Sequence, residues 1–383
     1  MHHYDADGIA SAGIVYQYLE KRGVRARTLA VPAITDEVLA RIQHEEELIL
    51  VDLGSGYHGI PDHAIIIDHH LPVHRDGIHF NPHFFGIDGD KEMCGALSAY
   101  YIFETDPILA IVGAAGDRQL PLSERARAFL QPPKETTTLN IFGRFSRPLR
   151  FVLSSFFDDL PDRLLWSLGI NEDKTYEELG ESERRKFASF LLLYSIFLER
   201  PVDDLLTVSY EFPSLEDKLR EAHVFASVLN ACGKQGHADV GLNVALYKYM
   251  VPEAERIVKE HGRRVMDGLA YAKENLMDLG LFYFLDGRWG VNPGALSAVV
   301  SFLTDSEKPI VGVAGRRSLK VSARGGQVSL GDWLRAASET VGGRGGGHQN
   351  AAGAIIPEEK LLAFLHALVD DFPPVNNLSP KPL

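Results

Sequence analysis

Two short apolar runs, at 48–51 and 64–67, each end on an aspartate, Asp52 and Asp68. Ahead of them the spacing is helical: Ile9, Ala12, Gly13, Tyr16 and Leu19 share one face of residues 8–22, and Gly23 is a good stop. Continuous apolar runs alternating with helices predict strands buried on both faces of a parallel sheet, hence an α/β fold. In such sheets the ligand site lies beyond the carboxyl ends of the strands, where both acids stand. Helices are predicted over 94–103 and 108–115, and Gly116-Asp117 closes the segment.

The remainder divides further. Residues 118–255 alternate helical stretches (181–198, 217–229) with Pro- and Gly-punctuated connections and carry no polar cluster of catalytic spacing. Beyond them come a long amphipathic helix at 254–275, a strand at 279–285 and a helix at 295–303. Strands at 310–313 and 318–323, a helix at 330–340, a glycine-rich stretch at 342–353 and a helix at 358–370 follow. The four prolines of 373–383 mark a mobile tail. The domains expected are a catalytic core at 1–125, a helical extension at 126–255, a smaller α/β domain at 256–372 and the tail at 373–383.

At 383 residues, 45% hydrophobic and 24% charged, the chain is long and apolar enough to bury two or three cores. Its net charge of −13 argues against coating nucleic acid by bulk attraction. A nucleic-acid partner must be held by a local basic groove or by metal ions. Two cysteines, Cys94 and Cys232, build neither a disulfide framework nor a four-cysteine zinc site; core positions in a reducing cytoplasm are the simplest reading. No apolar run approaches the roughly 18 residues of a membrane span, and no basic region precedes an apolar stretch at the start. A cytoplasmic protein without a membrane partner is expected.

Four clusters carry the chemistry: His3-Tyr4-Asp5-Ala6-Asp7-Gly8, Asp52, Asp68-His69-His70 and Asp117. Residues two apart in an extended segment share a face, so His3, Asp5 and Asp7 point the same way. Singly, a strand-end aspartate is a helix cap and a His-His pair is packing. Jointly, at successive strand ends, they read as metal ligands. Mixed carboxylate–imidazole ligation favours manganese, iron or zinc over calcium. Two such ions about 3.5–4 Å apart are the usual engine of phosphoester hydrolysis.

Near the other end the charge reverses. From 310 to 353 six cations (Arg316, Arg317, Lys320, Arg324, Arg335, Arg344) face two acids, Asp332 and Glu339. Glycines 342, 343, 345, 346 and 347 let backbone amides approach an anion closely. A second cationic stretch, 140–151, interleaves Arg144, Arg147 and Arg150 with Phe142, Phe145 and Phe151. An amphipathic helix is its first reading; single-strand stacking or partner docking are the others.

The four acid clusters resemble the motifs of the DHH phosphoesterase superfamily, whose name Asp68-His69-His70 spells. The run Gly345-Gly346-Gly347-His348-Gln349-Asn350-Ala351-Ala352-Gly353 is similar to the signature of the companion DHHA1 domain, with Ser322-Ala323-Arg324 similar to its upstream element. The two-residue spacing of His3 and Asp5, and Ala114–Leu122, resemble RecJ-like nucleases rather than family II pyrophosphatases. The insert is reminiscent of archaeal RecJ-like exonucleases, in which it contacts the replication factor GINS. The extra OB domain of the bacterial enzyme is not evident.

The resemblance implies an active site in the cleft between a DHH domain with a helical insert and a smaller DHHA1 domain. It implies two divalent ions, manganese first and magnesium second, one held by His3, Asp5 and Asp52. The other falls to Asp7, Asp52, His69 and Asp117, with Asp52 bridging. His70 would lie against the phosphate and Asp68 would orient an imidazole, while Arg324, Gly346, Gly347 and His348 would bind substrate. The activity implied is exonucleolytic hydrolysis of single-stranded DNA or RNA. A phosphodiesterase for short oligonucleotides or cyclic dinucleotides is the nearest alternative, and a non-catalytic replication scaffold resembling Cdc45 is the alternative from another class. Family members place a hydrophobic strand before the first motif; only Met1-His2 precede His3 here, so a weakened first metal site is expected.

Overall fold

The computed structural model describes residues 1–73, 77–139, 148–154, 165–198, 205–216, 219–303, 308–326 and 328–373. The arginine–phenylalanine residues at 140–147 and the tail from 374 lie outside them, so the readings placed there are not carried further. The chain divides into two units, Met1–Lys259 and Glu260–Leu383.

The first unit begins with β1 (His2–His3), α1 (Ala6–Lys21), β2 (Ala30–Val31), α2 (Asp36–Ile42), β3 (Ile49–Val51), β4 (Ile65–Ile67) and β5 (Ile78–Phe80). The strands form one sheet in the order β2-β1-β3-β4-β5, every pair parallel. Side chains alternate between its faces. Leu50 and Ile66 join Ile34 and Ile42 on one side, whereas Val51 and Ile67 join α1 on the other. Both faces are therefore apolar, which is why the strands read as unbroken hydrophobic runs.

α3 (Gly95–Phe103) and α4 (Pro107–Gly116) complete the layer against α1. Then come α5 (Glu124–Phe129), β6 (Glu135–Leu139), α6 (Leu149–Ser154), α7 (Glu181–Phe197) and β7 (Leu206–Tyr210). The antiparallel pairing of β6 with β7 is new relative to the sequence reading, which saw helices and connections only. α8 (Ala222–Lys234) and α9 (Ala238–Tyr247) bury Phe225, Leu229, Cys232, Leu242 and Val244 in the same core as Ile9 and Ile14 of α1. Structurally they belong to the core. The helix expected from 217 begins at Ala222, after the strand-like bridge Glu211–Glu221.

The N-terminus is paired more fully than its length suggests. His2 N donates to Leu29 O (2.9 Å), Val51 N to Met1 O (3.1 Å), and the terminal amine to Ile49 O (2.7 Å). The two residues of β1 therefore sit mid-sheet with a neighbour on either side. Burial lowers the pKa of the terminal amine to about 6.

α10 (Val251–Asn275) runs across the division at Lys259. The second unit continues with β8 (Leu276–Asp278), β9 (Tyr283–Asp286), α11 (Leu296–Phe302), β10 (Ile310–Arg316), β11 (Ser318–Arg324), α12 (Leu330–Thr340), β12 (Arg344–His348), β13 (Ala351–Pro357) and α13 (Leu361–Asp370). Its mixed sheet has the order β12-β13-β11-β10-β9-β8, with only β9 and β10 parallel. Here too alternation sorts the core: Val311 and Val313 pack with Trp333 and Phe364, while Ile310 and Ala314 pack with Val299 and Val265. Trp333 Nε1 donates to Leu368 O (3.0 Å).

One expectation is corrected in this unit. The single strand at 279–285 is two antiparallel strands, β8 and β9, because Asp278 caps a turn by accepting from Gly280 N (2.8 Å). Within the glycine-rich stretch, 344–348 pairs with β13 in regular antiparallel register. A Cβ on Gly347 (φ 141°) would come within 2.6 Å of Ala351 O, so its glycine serves hairpin packing directly.

Candidate metal centre

The strand order 2-1-3 places a topological switch between β1 and β3, because the chain leaves β1 to one side and returns on the other. Strands β1, β3 and β4 end there. Their next residues deliver His3 and Asp5, Asp52, and the Asp68-His69-His70 run to one edge, and the end of α4 adds Asp117. All eight acids and histidines singled out in the sequence meet in this place.

His3 Nδ1 lies 3.0 Å from Asp5 Oδ2 and 3.4 Å from Asp52 Oδ2. His69 Nε2 lies 3.2 Å from Asp52 Oδ1, 3.2 Å from Asp117 Oδ2 and 3.9 Å from Asp7 Oδ2. Asp52 thus stands between two groups, one around each imidazole. Its φ of +57° is a left-handed conformation, uncommon outside glycine and concentrated at functional sites. Asp7, Asp52, Asp68 and His69 are buried, whereas His3, Asp5, His70 and Asp117 form a partly exposed rim.

Several of the ligand-type groups are held from behind. Asp5 caps α1, accepting from Gly8 N through Oδ1 (3.1 Å), which leaves Oδ2 towards His3. Asp7 sits on the N-terminus of α3, accepting from Gly95 N (2.7 Å), Ala96 N (2.9 Å) and the Cys94 thiol (3.0 Å). A helix N-terminus favours such an anion. Gly95 is required there: a Cβ would meet Asp7 Oδ2 at 2.7 Å and Asp52 Cβ at 2.9 Å. His69 Nδ1 bonds Gly89 O (2.9 Å), which also accepts from Gln119 Nε2 (2.7 Å), so Nε2 faces the carboxylates.

Asp68 accepts from Ser55 N (2.8 Å) and His69 N (2.8 Å) and pairs with His70 Nδ1 (2.7 Å). Asn81 clamps this loop by donating to Ser55 Oγ and His70 O, both at 2.8 Å. Asn230 of α8 accepts from Ala6 N (3.1 Å) and so braces the first motif.

The electrostatics are those of a site built for a cation. Burial, then the Asp52 charge beside it, pushes Asp7 up to about 7; burial, then Asp7, pushes Asp117 well above the carboxylate range. Burial opposes charge on His69 and His3, but the surrounding carboxylates outweigh it and raise both pKa values well above the ordinary value. Burial is likewise overridden at Asp68 and Asp5, which His70 and His3 respectively hold below the carboxylate range. The Cys94 thiol is pushed well up by burial and by Asp7. Asp52 Oδ1 and His3 Nδ1 are buried yet make no hydrogen bond. Four carboxylates against two imidazoles, with buried atoms unsatisfied, fit a divalent ion. Ligand atoms of His3, Asp5 and Asp52 lie within 4.8 Å of one another, as do those of Asp7, Cys94 and Asp117 and those of Asp52, Asp68, His69 and His70.

The substrate residues expected in the second unit lie on strands. Register places Arg324, Ala351 and His348 in one row across β11, β13 and β12, and Gly347 and Gly346 in the next two rows. Arg324 turns its guanidinium to Ala323 O (2.7 Å) and Ala352 O (3.3 Å).

Reading by sequence missed Cys94, Asn81, Gly89, Gln119 and Asn230. Cys94 stands immediately before a helix, the position where capping groups are sought. Asn230 has no local signal, since its partner is 224 residues away.

A parallel sheet with an acid–imidazole centre at its switch point, followed by a separate mixed-sheet unit, defines an α/β protein of the metal-site type. The DHH family, N-terminal domain matches residues 1–123 and the DHHA1 domain matches residues 279–372. The chain belongs to the DHH/DHHA1 superfamily. It is 27% identical over 405 residues to the uncharacterized protein MJ0831 of Methanocaldococcus jannaschii, covering 95% of this chain and 90% of that one. Among solved structures it resembles RecJ in complex with Mn²⁺ from Thermus thermophilus (18% identity, TM-score 0.52, 97% of this chain). This chain spans 52% of that RecJ, about half its length. It also resembles CDC45 from Entamoeba histolytica (13% identity, TM-score 0.60, 97% and 94% covered). The fold is RecJ-like. No helix among the described residues is long and apolar enough to cross a membrane.

Proposed function

We propose that the chain is a metal-dependent phosphodiesterase, manganese being its first ion, that hydrolyses single-stranded nucleic acid in the manner of a RecJ-like exonuclease. One observation carries the reading: Asp52, in a left-handed conformation, stands between the His3 and His69 groups with a buried oxygen that no hydrogen bond satisfies. A carboxylate so placed would be shared by two ions, one held by His3, Asp5 and Asp52 and the other by Asp7, Asp52, His69 and Asp117. When bound, the ions supply a nucleophile at neutral pH and stabilise negative charge on the phosphoryl group.

The chain's own residues do the rest. His69 is fixed by Gly89 O, so it meets the ions through Nε2. Asp68 holds Nδ1 of His70 and raises its pKa against the cost of burial, and this orients the ring to lie against the phosphate, stabilising charge or helping the leaving oxygen. In the second unit, Arg324, Gly346, Gly347 and His348 are the substrate-binding residues. The GINS-type partner belongs to the insert.

A scaffold without catalysis, the reading that the CDC45 likeness invites, leaves the eight converging acids and imidazoles without a role. The test is hydrolysis with Mn²⁺ of long end-labelled single strands beside a dinucleotide and a cyclic dinucleotide, with Asp117→Ala as control. Shortening of the long strand supports the exonuclease, and turnover of the short substrates alone moves the assignment to oligonucleotide or cyclic-dinucleotide clearance. Equal silence of wild type and variant overturns the enzyme.

A further inference from the structure

Cys94 stands out of place in a centre of oxygen and nitrogen ligands. It is fully buried, with Sγ 3.0 Å from Asp7 Oδ1, and its thiol, one Asp7 oxygen and one Asp117 oxygen lie within 4.8 Å of one another. His69 Nε2 is 3.2 Å from Asp117 Oδ2, and the unsatisfied Asp52 Oδ1 is 3.2 Å from that same nitrogen. A second, independent feature thus marks this spot as one that takes a cation.

We infer that Cys94, with Asp7 and Asp117, makes the inner half of the centre a second kind of site, one that captures a thiophilic divalent ion such as zinc or cadmium through a thiolate. The inference rests on the proposed metal centre and adds a ligand to it. Manganese and magnesium prefer oxygen and imidazole and leave the thiol as a hydrogen-bond donor to Asp7. Zinc and cadmium prefer sulfur. Zinc–sulfur bonds of about 2.3 Å and zinc–oxygen bonds of about 2.0–2.2 Å put ligands of one tetrahedral ion within about 4 Å of each other. The observed spacing reaches that with side-chain shifts of about an ångström. As the ion binds, the sulfur–hydrogen bond breaks, the sulfur lone pair goes to the metal and the proton passes to solvent.

Such capture pulls the Asp7 carboxylate into a tetrahedral shell and removes it from the octahedral set a hard ion needs. Zinc and cadmium therefore compete with manganese at the inner position and leave the outer one, at His3, Asp5 and Asp52, to manganese.

The test is a titration of the full chain, freed of metal by chelation, with Cd²⁺, read by the ultraviolet thiolate-to-cadmium charge-transfer band. In parallel, the chain reloaded with Mn²⁺ is titrated with Cd²⁺ and read by the electron-spin signal of released Mn²⁺. Wild type is expected to develop the band with one equivalent of Cd²⁺ and to release one equivalent of Mn²⁺. Cys94→Ser is expected to lose the band, to bind Cd²⁺ roughly 10–100-fold more weakly and still to bind Mn²⁺. Cys232→Ser, at the other buried cysteine, is expected to keep the band. Absence of the band in wild type that binds Mn²⁺, or its persistence in Cys94→Ser, overturns the inference and leaves the metal centre standing. Wild type that binds neither ion overturns both.

Discussion

The two sheets of this protein solve opposite problems. In the first unit's parallel sheet no strand exceeds three residues, and the strands serve to end together, so that loops can gather charged side chains at one edge. In the second unit β10, β11 and β13 are seven residues each, and the glycine signature is itself a strand. One edge is made of side chains that need something they lack. The other is made of backbone already paired with itself. Chemistry thus falls to the short sheet, where burial leaves charge unbalanced, and shape falls to the long one.

The largest effect that separates them comes from Asp117→Ala, which is expected to lower Mn²⁺-supported hydrolysis by roughly 10³-fold, since charge stabilisation is usually the largest contribution an active site makes. The metal-free melting temperature should not fall, because the change removes a buried carboxylate raised by its neighbours. A large fall in melting temperature breaks the comparison. Next is Asn81→Ala, which frees the loop carrying Asp68 and His70. Activity is expected to drop by roughly 10–100-fold, the usual cost of losing a support behind the ligands, measured as kcat/KM against oligonucleotide.

In the second unit Gly347→Ala should cost about 1–3 kcal/mol of stability through backbone crowding, read by denaturant unfolding. The Mn²⁺ affinity of the first unit should be unchanged. If it changes, the division of labour is wrong.

The smallest effect is a pH dependence confined to the metal-free protein. Asp7 titrates near 4 when unfolded and at about 7 when folded, so between those values the folded chain binds more protons and loses stability as pH rises. His3 and His69, raised by the carboxylates, contribute stability that is full below the ordinary histidine pKa and is lost as pH rises through their folded values. Both act in the same direction; the buried terminal amine and His2, whose pKa values are lowered, act the other way and are fewer. Melting without metal should fall by a few degrees from about pH 5 to about pH 8, and Mn²⁺ should abolish the slope. A rising slope contradicts the frustrated cluster.

The sequence is most legible where one residue reports its own local role. Asp52 and Asp68 are visible because they terminate apolar runs, and β3 and β4 begin only one residue later than their runs do. Arg324, Gly347 and His348 were singled out by resemblance, but not that the glycines pair as a strand, since a glycine run carries no period. β6 and β7 went unread because Thr136, Thr137 and Thr138 lack an apolar alternation and their partners lie about 70 residues away. The cradle of Asp7 was half visible: the acid reads plainly, whereas Cys94 reads as core until the helix it begins is turned towards Asp7.

The bond from Ala6 to Asn230 has a consequence for the order in which the molecule comes into being. α8 and α9, which cover α1, leave the ribosome more than two hundred residues after the first motif. Synthesis runs at about 5–20 residues per second, so the emerging segment waits on the order of ten seconds for its cover. During that interval α3 and α4 can already pack on α1, but the face that meets α8 and α9 is bare. A fragment cut at residue 123, where the first domain match ends, is that waiting state made permanent.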